Sequence, residues 1–331
     1  MARIRMAQYG TGHGHAGGKL NSMLKHVDVE VAGVFEPSAE KAASVRQQPA
    51  YQDVHWFASE QEMLGDDSIV AIASEGSNDE SLPQTAAIIN AGKHAWYDKP
   101  AGEDYPRWQG VVETARKNAL HIQLGYMLRY HPAFMQVATW ARDGFLGNVF
   151  SIRAHMSTCV PLELQKKIAQ HPGGIHFDLA GHMLDQIVWM LGRPHKVTSF
   201  LRSDTEDVPG FVDNSLVVYE FEQAMAVIDI SAMETRPMAR RFEVYGTKGS
   251  AILLEPFEPG GRIRLALDEA RDGYQEGEQL VEVEPMGRGE TYDRELDAFL
   301  GVVLDGAEPD RGLDFELLVQ ETLLRGTGHM S

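Results

Sequence analysis

The chain has 331 residues, more than one hydrophobic core usually organises, so two domains are expected. Its 43% hydrophobic and 24% charged residues exclude a disordered chain, and no run approaches the roughly 18 apolar residues of a membrane span. A formal net charge of -18, with no basic cluster larger than Arg240-Arg241, argues against a nucleic acid or an anionic membrane as partner, while the lone Cys159 fits a reducing, cytoplasmic setting.

The first third alternates short apolar runs with helix-like stretches, the pattern of parallel strands joined by crossover helices. Strands are predicted at Ile4–Tyr9, Val29–Phe35, Ile69–Ala73, His94–Tyr97 and His121–Gly125. Helices are predicted between them, among others at Ser38–Arg46, Ser81–Ala91 and Tyr105–Asn118, with Gly92 stopping the second of these. After the first strand comes Gly10-Thr11-Gly12-His13-Gly14-His15-Ala16, in the strand-to-helix setting that a dinucleotide-binding turn requires. Gly10 allows the tight turn, and Gly12 lets the backbone approach a pyrophosphate at the helix N-terminus. His15 stands where a third glycine is usual, so helix-to-strand packing is expected to differ there.

Glycines alone also mark ordinary turns. Glu36 strengthens the reading, because it ends the second strand about twenty residues beyond His15, where a carboxylate accepts hydrogen bonds from a ribose diol. The same charge repels a 2′-phosphate, so NAD is expected in preference to NADP. Lys99 ends the fourth strand, and Pro100 after it favours extended backbone. A cation at that edge of a parallel sheet faces the crevice where a nicotinamide would lie.

From about Leu124 the texture changes, which divides the chain into residues 1–124, a Rossmann-type α/β domain, and 125–331, an α+β domain with a large, mostly antiparallel open sheet. Its strands are predicted at Val149–His155, Lys196–Leu201, Ser215–Glu222, Met225–Met233, Arg241–Gly246 and Ile263–Ala266. Helices at Pro132–Asp143, Asp178–Leu191 and Glu290–Asp305 are expected to cover one face of that sheet, and Asp314–Leu324 reads as a terminal helix. On the second of these, Asp178, His182 and Asp185 share one face. An imidazole flanked by carboxylates suits general acid/base work near neutral pH. The same spacing also fits a hydrogen-bonded helix face, or three metal ligands. No metal is expected, since hydride transfer to NAD needs none.

The chain resembles the Gfo/Idh/MocA family of NAD(P)-dependent oxidoreductases over nearly its whole length. The resemblance is carried by Gly10–Ala16, by Ala91-Gly92-Lys93-His94 leading to Asp98-Lys99-Pro100, and by Asp178, His182 and Asp185, in that order. It implies that Lys99 contacts the substrate hydroxyl and the nicotinamide, that His182 is the acid/base, and that Asp178 positions both substrate and histidine. It implies Asn78 and Asp98 as further cofactor residues, beside Gly10, Thr11, Gly12, His13, Gly14, His15, Glu36 and Lys99. Tyr126, Arg129 and His131 fall in the stretch that lines the sugar pocket in similar proteins, Asp185 is a supporting residue, and His155 and His176 are weaker substrate candidates. Asp98 replaces a usual glutamate, and Gly76-Ser77-Asn78 replaces a usual Thr-Pro-Asn, so the loop on that side is expected to differ in shape.

The function expected is an NAD-dependent dehydrogenase or reductase acting on a secondary alcohol or ketone of a sugar, sugar derivative or cyclic polyol. Two alternatives stand beside it: an NAD-retaining glycosidase or lyase working through transient sugar oxidation, and a non-catalytic NAD-binding regulator. A homodimer or homotetramer is expected, because the second sheet needs its open face covered.

Overall fold

The computed structural model describes residues 3–254 and 257–330. Two compact units emerge: residues up to Tyr126 together with Gly289–Leu317, and Met127–Arg288 together with the residues from Leu318 onward.

The first unit begins β1 (Ile4–Tyr9), α1 (Ala16–Lys25), β2 (Val29–Phe35), α2 (Ala39–Val45), α3 (Glu60–Leu64), β3 (Ile69–Ser74), α4 (Ser81–Asn90), β4 (His94–Tyr97), α5 (Tyr105–Lys117) and β5 (Ile122–Leu124). Its five strands are all parallel, in the order β2-β1-β3-β4-β5. Chain direction across the sheet therefore reverses between β1 and β3, and ligands of such sheets bind in the crevice beyond the strand ends at that point. Near-continuous burial of β1 and β3 is what a parallel sheet covered on both faces demands. Local chemistry sets the helix starts: Ser38 accepts from the Lys41 N–H, Ser59 from Glu62 and Asp104 from Arg107.

The second unit contains α6 (Pro132–Arg142), β6 (Val149–His155), α7 (Leu162–Ile168), α8 (Ile175–Leu191), β7 (Lys196–Arg202), β8 (Asn214–Glu220), β9 (Met225–Ser231), β10 (Arg241–Gly246), β11 (Gly249–Leu253), β12 (Arg262–Leu267) and β13 (Gly277–Glu282). Its sheet runs β13-β12-β11-β10-β6-β9-β8-β7, antiparallel except where β6 pairs with β9. Alternation places Ile152, Ala154, Val217, Ala226, Ile228, Phe242 and Val244 in the core, against α6 and α8. Phe134 of α6 meets Phe242 with ring centroids 5.2 Å apart.

Two helices close the chain, α9 (Arg288–Asp305) and α10 (Leu313–Gly326). The expectation that Glu290–Asp305 covers the second sheet is corrected: Leu296, Phe299 and Leu300 join the core of the first unit, with Ile4, Met6, Leu20, Val34, Ala71 and Trp96. An amphipathic helix carries no label saying which sheet its apolar stripe will meet. Asp178 also does not open α8, which begins one turn earlier at Ile175, after Gly174 at φ +48°. A Cβ on Gly174 would collide with the Val212 carbonyl, so glycine there is a packing requirement.

Candidate active site

The loop after β1 is shaped by close backbone approach. Gly10 has φ +81°, in the left-handed region, and a Cβ on it would lie 2.7 Å from the Gly76 amide nitrogen. A Cβ on Gly12 would lie 2.7 Å from the Ser77 amide. The loops following β1 and β3 thus interlock at the point where the sheet reverses. Thr11 donates to Glu36 Oε2 from its backbone N–H at 2.8 Å and its hydroxyl at 2.7 Å, and the Ser38 N–H donates to Oε1 at 2.9 Å. Glu36 is buried by this, pinning the end of β2 to the glycine turn. No side chain caps α1, and its first turn carries no acidic residue. Its positive end is therefore disposed to receive an anion. A dinucleotide fits these residues: flat turn, uncapped helix and a buried carboxylate at the next strand end.

Asp98, one residue past β4, is the hub of this side. Its Oδ1 accepts the Lys99 backbone N–H at 2.7 Å, which sets where that lysine leaves the strand. Its Oδ2 lies 3.0 Å from His13 Nδ1, 3.1 Å from His15 Nδ1 and 3.4 Å from Lys19 Nζ. Lys19 is wholly buried, reaches Glu75 at 3.3 Å and Glu295 at 3.6 Å, and lies 4.4 Å over the Trp96 ring. Trp96 in turn donates from Nε1 to Glu295 Oε1 at 2.7 Å. Burial alone would raise the Asp98 carboxyl, yet His13, Lys19 and His15 hold it well below the usual carboxylate range. Glu75 goes the other way, because burial outweighs Lys19 and lifts it well above that range. Burial would depress Lys19, but Asp98, Glu295 and Glu75 keep it above its ordinary value. Burial pushes the His15 imidazole down to about 4 in spite of Asp98. Lys99 itself is buried, and Asn78, half-buried, follows Ser77 in the loop after β3.

In the second unit, α8 carries Asp178, His182 and Asp185 on successive turns. Asp178 lies in the first turn, where the helix dipole favours a negative charge. His182 is buried, and Asp185 is fully so. Arg129 donates from Nε to Asp185 Oδ1 at 2.8 Å, and the Gln186 amide donates to Oδ2 at 3.1 Å. Arg129 and Asp185 are thus brought together. His131 caps α6, accepting the Ala133 N–H at Nδ1, 3.2 Å away. Tyr126 is fully buried at the end of the first unit's leading segment. His155 and His176 stand in separate networks. His155, on β6, contacts Asp229 through Nδ1 and Glu234 through Nε2, the latter at 2.9 Å. His176 is a core residue, with Ser215 Oγ 3.2 Å from Nδ1 and the Tyr219 hydroxyl 2.9 Å from Nε2.

Sequence reasoning missed Lys19, Glu75 and Glu295. Lys19 and Glu75 left a trace, since each is a charge at a position whose neighbours are all apolar or small. Glu295 left none, because only the fold brings α9 to Lys19.

Comparisons with known proteins now bear on this geometry. A family model described as an oxidoreductase family with an NAD-binding Rossmann fold matches residues 4–126. A second, described as the GFO/IDH/MocA C-terminal domain, matches residues 134–252. The 1,5-anhydro-D-fructose reductase of Ensifer adhaerens is 24% identical over 286 residues, spanning 85% of this chain and 82% of that protein. The inositol 2-dehydrogenase of Rhizobium meliloti is 26% identical over 228 residues, 67% of this chain and 66% of its own length. An oxidoreductase from Agrobacterium radiobacter, solved with NAD+, L-tartaric acid and magnesium, superposes with a TM-score of 0.85. It does so at 13% identity over 99% of this chain and 96% of that one, a likeness of fold.

Proposed function

Because the chain belongs to the Gfo/Idh/MocA family of oxidoreductases, we propose that it is an NAD-dependent dehydrogenase or reductase acting on a secondary alcohol or ketone of a sugar, sugar derivative or cyclic polyol. The substrate class is supported by relatives named for an anhydro-sugar and for inositol. The observation that carries the reading is Lys99, whose backbone N–H is gripped by Asp98 at the end of β4.

Gly10, Gly12 and the start of α1 would hold the pyrophosphate of NAD, with Glu36 taking the adenosine ribose. Three donors already engage Glu36, so the ribose hydroxyls share it with Thr11 and Ser38. When bound, the nicotinamide supplies the two-electron acceptor or donor. Lys99 stabilises the negative charge that grows on the substrate oxygen, an electrostatic role in which a preorganised cation contributes a few kcal/mol. His182 takes the hydroxyl proton during oxidation and returns it during reduction. Asp178 orients the substrate and the imidazole, and Arg129 steadies α8 from behind through Asp185.

The test is a panel of sugars and cyclitols with NAD or NADH, followed by nicotinamide absorbance. Turnover lost in Lys99→Met and in His182→Gln supports the assignment; turnover equal to the parent in both ends it. Sugar cleavage with no net NADH would instead favour the lyase chemistry. We assign self-association to the outer face of the β7–β13 sheet, where Phe150, Phe200, Leu216, Met225 and Leu280 are exposed. Light scattering of the purified chain reads it directly.

A further inference from the structure

We propose that His13, His15 and Asp98 form a three-ligand site for a divalent transition-metal ion of the zinc class. The two imidazole nitrogens and a carboxylate oxygen lie within 4.8 Å of one another. His13 Nδ1 is 3.0 Å and His15 Nδ1 is 3.1 Å from the same oxygen, Asp98 Oδ2. Ligands about 2.0–2.2 Å from a tetrahedral zinc ion stand roughly 3.3 Å apart, so the two histidine–carboxylate separations need to open by only a few tenths of an ångström.

A second observation points to a cation. The His15 backbone N–H donates to His13 Nδ1 at 3.2 Å, so in the neutral imidazole Nδ1 is the lone-pair nitrogen and the hydrogen sits on Nε2. It nevertheless faces a carboxylate oxygen at 3.0 Å. Two acceptors at that separation repel unless positive charge lies between them, and a metal ion supplies it by taking the Nδ1 lone pair that the backbone N–H otherwise holds. The short His13-Gly14-His15 spacing and the tilt of the rings, whose centroids are 4.6 Å apart, let both Nδ1 atoms turn to one point.

Mixed nitrogen and oxygen donors select zinc, cobalt or nickel over magnesium and calcium, which prefer oxygen alone. Three protein ligands leave one position for water or for an oxygen of an anion, as open zinc sites do. Lys19 stands 3.4 Å from Asp98 Oδ2, and the charge of Lys99 also acts on His15. The Lys19 ammonium is shared with Glu75 and Glu295, so Asp98 is not its sole counter-charge and can serve a second cation. This site departs from the expectation that the chain holds no metal, and its readout is independent of turnover.

The experiment uses the full chain freed of nucleotide and metal, titrated with Zn2+ by calorimetry and with Co2+ by visible absorption. Parent protein is expected to bind one ion tightly and to show the intense bands of four-coordinate cobalt. His13→Gln and His15→Gln, each shown by circular dichroism and melting to fold as the parent does, are expected to bind at least about tenfold more weakly, about 1.4 kcal/mol, and to lose those bands. His26→Gln, which removes an imidazole elsewhere on the surface, is expected to bind as the parent does. Absence of saturable binding in the parent, or binding in both site variants indistinguishable from it, overturns the proposal.

Discussion

Arg129 and Asp185 form an ion pair at 2.8 Å with side chains 1% and 0% exposed. Taking away one member of such a pair leaves a buried charge facing a neutral group, which costs about 3–5 kcal/mol. Asp185→Asn is therefore expected to lower the urea midpoint of the second unit by a corresponding amount. Replacing both partners with apolar residues of similar volume should recover much of it. A single variant as stable as the parent would show that the pair does not hold α8 in place.

The roles given to Lys99 and His182 predict losses in kcat/KM of about 10^2 to 10^4 for each single replacement, the range seen for oxyanion stabilisers and general acid/base groups. If both serve one hydroxyl, the double variant is little worse than the poorer single one, because residues acting as a unit are not additive. Additive losses would separate their roles. Steady-state kinetics with one active substrate decides it.

Glu36 makes a specific claim about the nucleotide. Glu36→Ala removes the carboxylate that receives the ribose and also frees Thr11. A hydrogen bond to a charged group contributes about 1.5–3 kcal/mol, so NAD affinity should fall roughly 10- to 100-fold. NADP affinity should fall less, or rise, since the repulsion of its 2′-phosphate is gone. Fluorescence titration with both nucleotides measures the ratio.

Two histidines bend the pH dependence of stability in opposite senses. Hydrogen bonding to Asp229, with Glu234 adding to it, raises the His155 pKa. Its contribution is full below the ordinary imidazole value of about 6.5 and is lost as pH rises through the raised value. Burial lowers His176 to about 3. Between that value and about 6.5 the unfolded chain binds a proton that the folded chain refuses, so stability falls with acid by up to about 1.4 kcal/mol per pH unit. His176→Gln should flatten the acid limb of a stability profile, whereas His155→Gln should matter most on that limb and least in alkali. Urea midpoints across about pH 4–8 distinguish them.

Much of the first unit was legible because its signals are local. β1, β2 and β4 begin and end where the apolar runs do, and Glu36 was placed by the end of β2 together with its spacing from His15. β11 was not foreseen, because Thr247-Lys248 joins it to β10 without the Asn-Gly or Asp-Gly that mark a two-residue hairpin. β13 escaped for another reason: Gly277–Glu282 is an edge strand exposed along much of its length, so it lacks the alternation a half-buried strand writes into sequence. At the site, residue types and spacings named His13, His15 and Lys99, and the family resemblance added Asp98, but what they touch did not follow. His131 and His176 looked like pocket residues and stand in a helix cap and a core hydrogen-bond network. Spacing finds polar side chains; only packing says whether they face a ligand or a neighbour.

The placement of α9 has a consequence for how the molecule is made. A ribosome delivers β1 to β5 long before Leu296, Phe299, Leu300 and Glu295 leave the exit tunnel, yet those four complete the apolar layer and the counter-charge around Lys19. The nascent sheet must wait incompletely covered while Met127–Arg288 of the second unit is translated, so vectorial synthesis cannot finish the first half first. A helix made late seals strands made early.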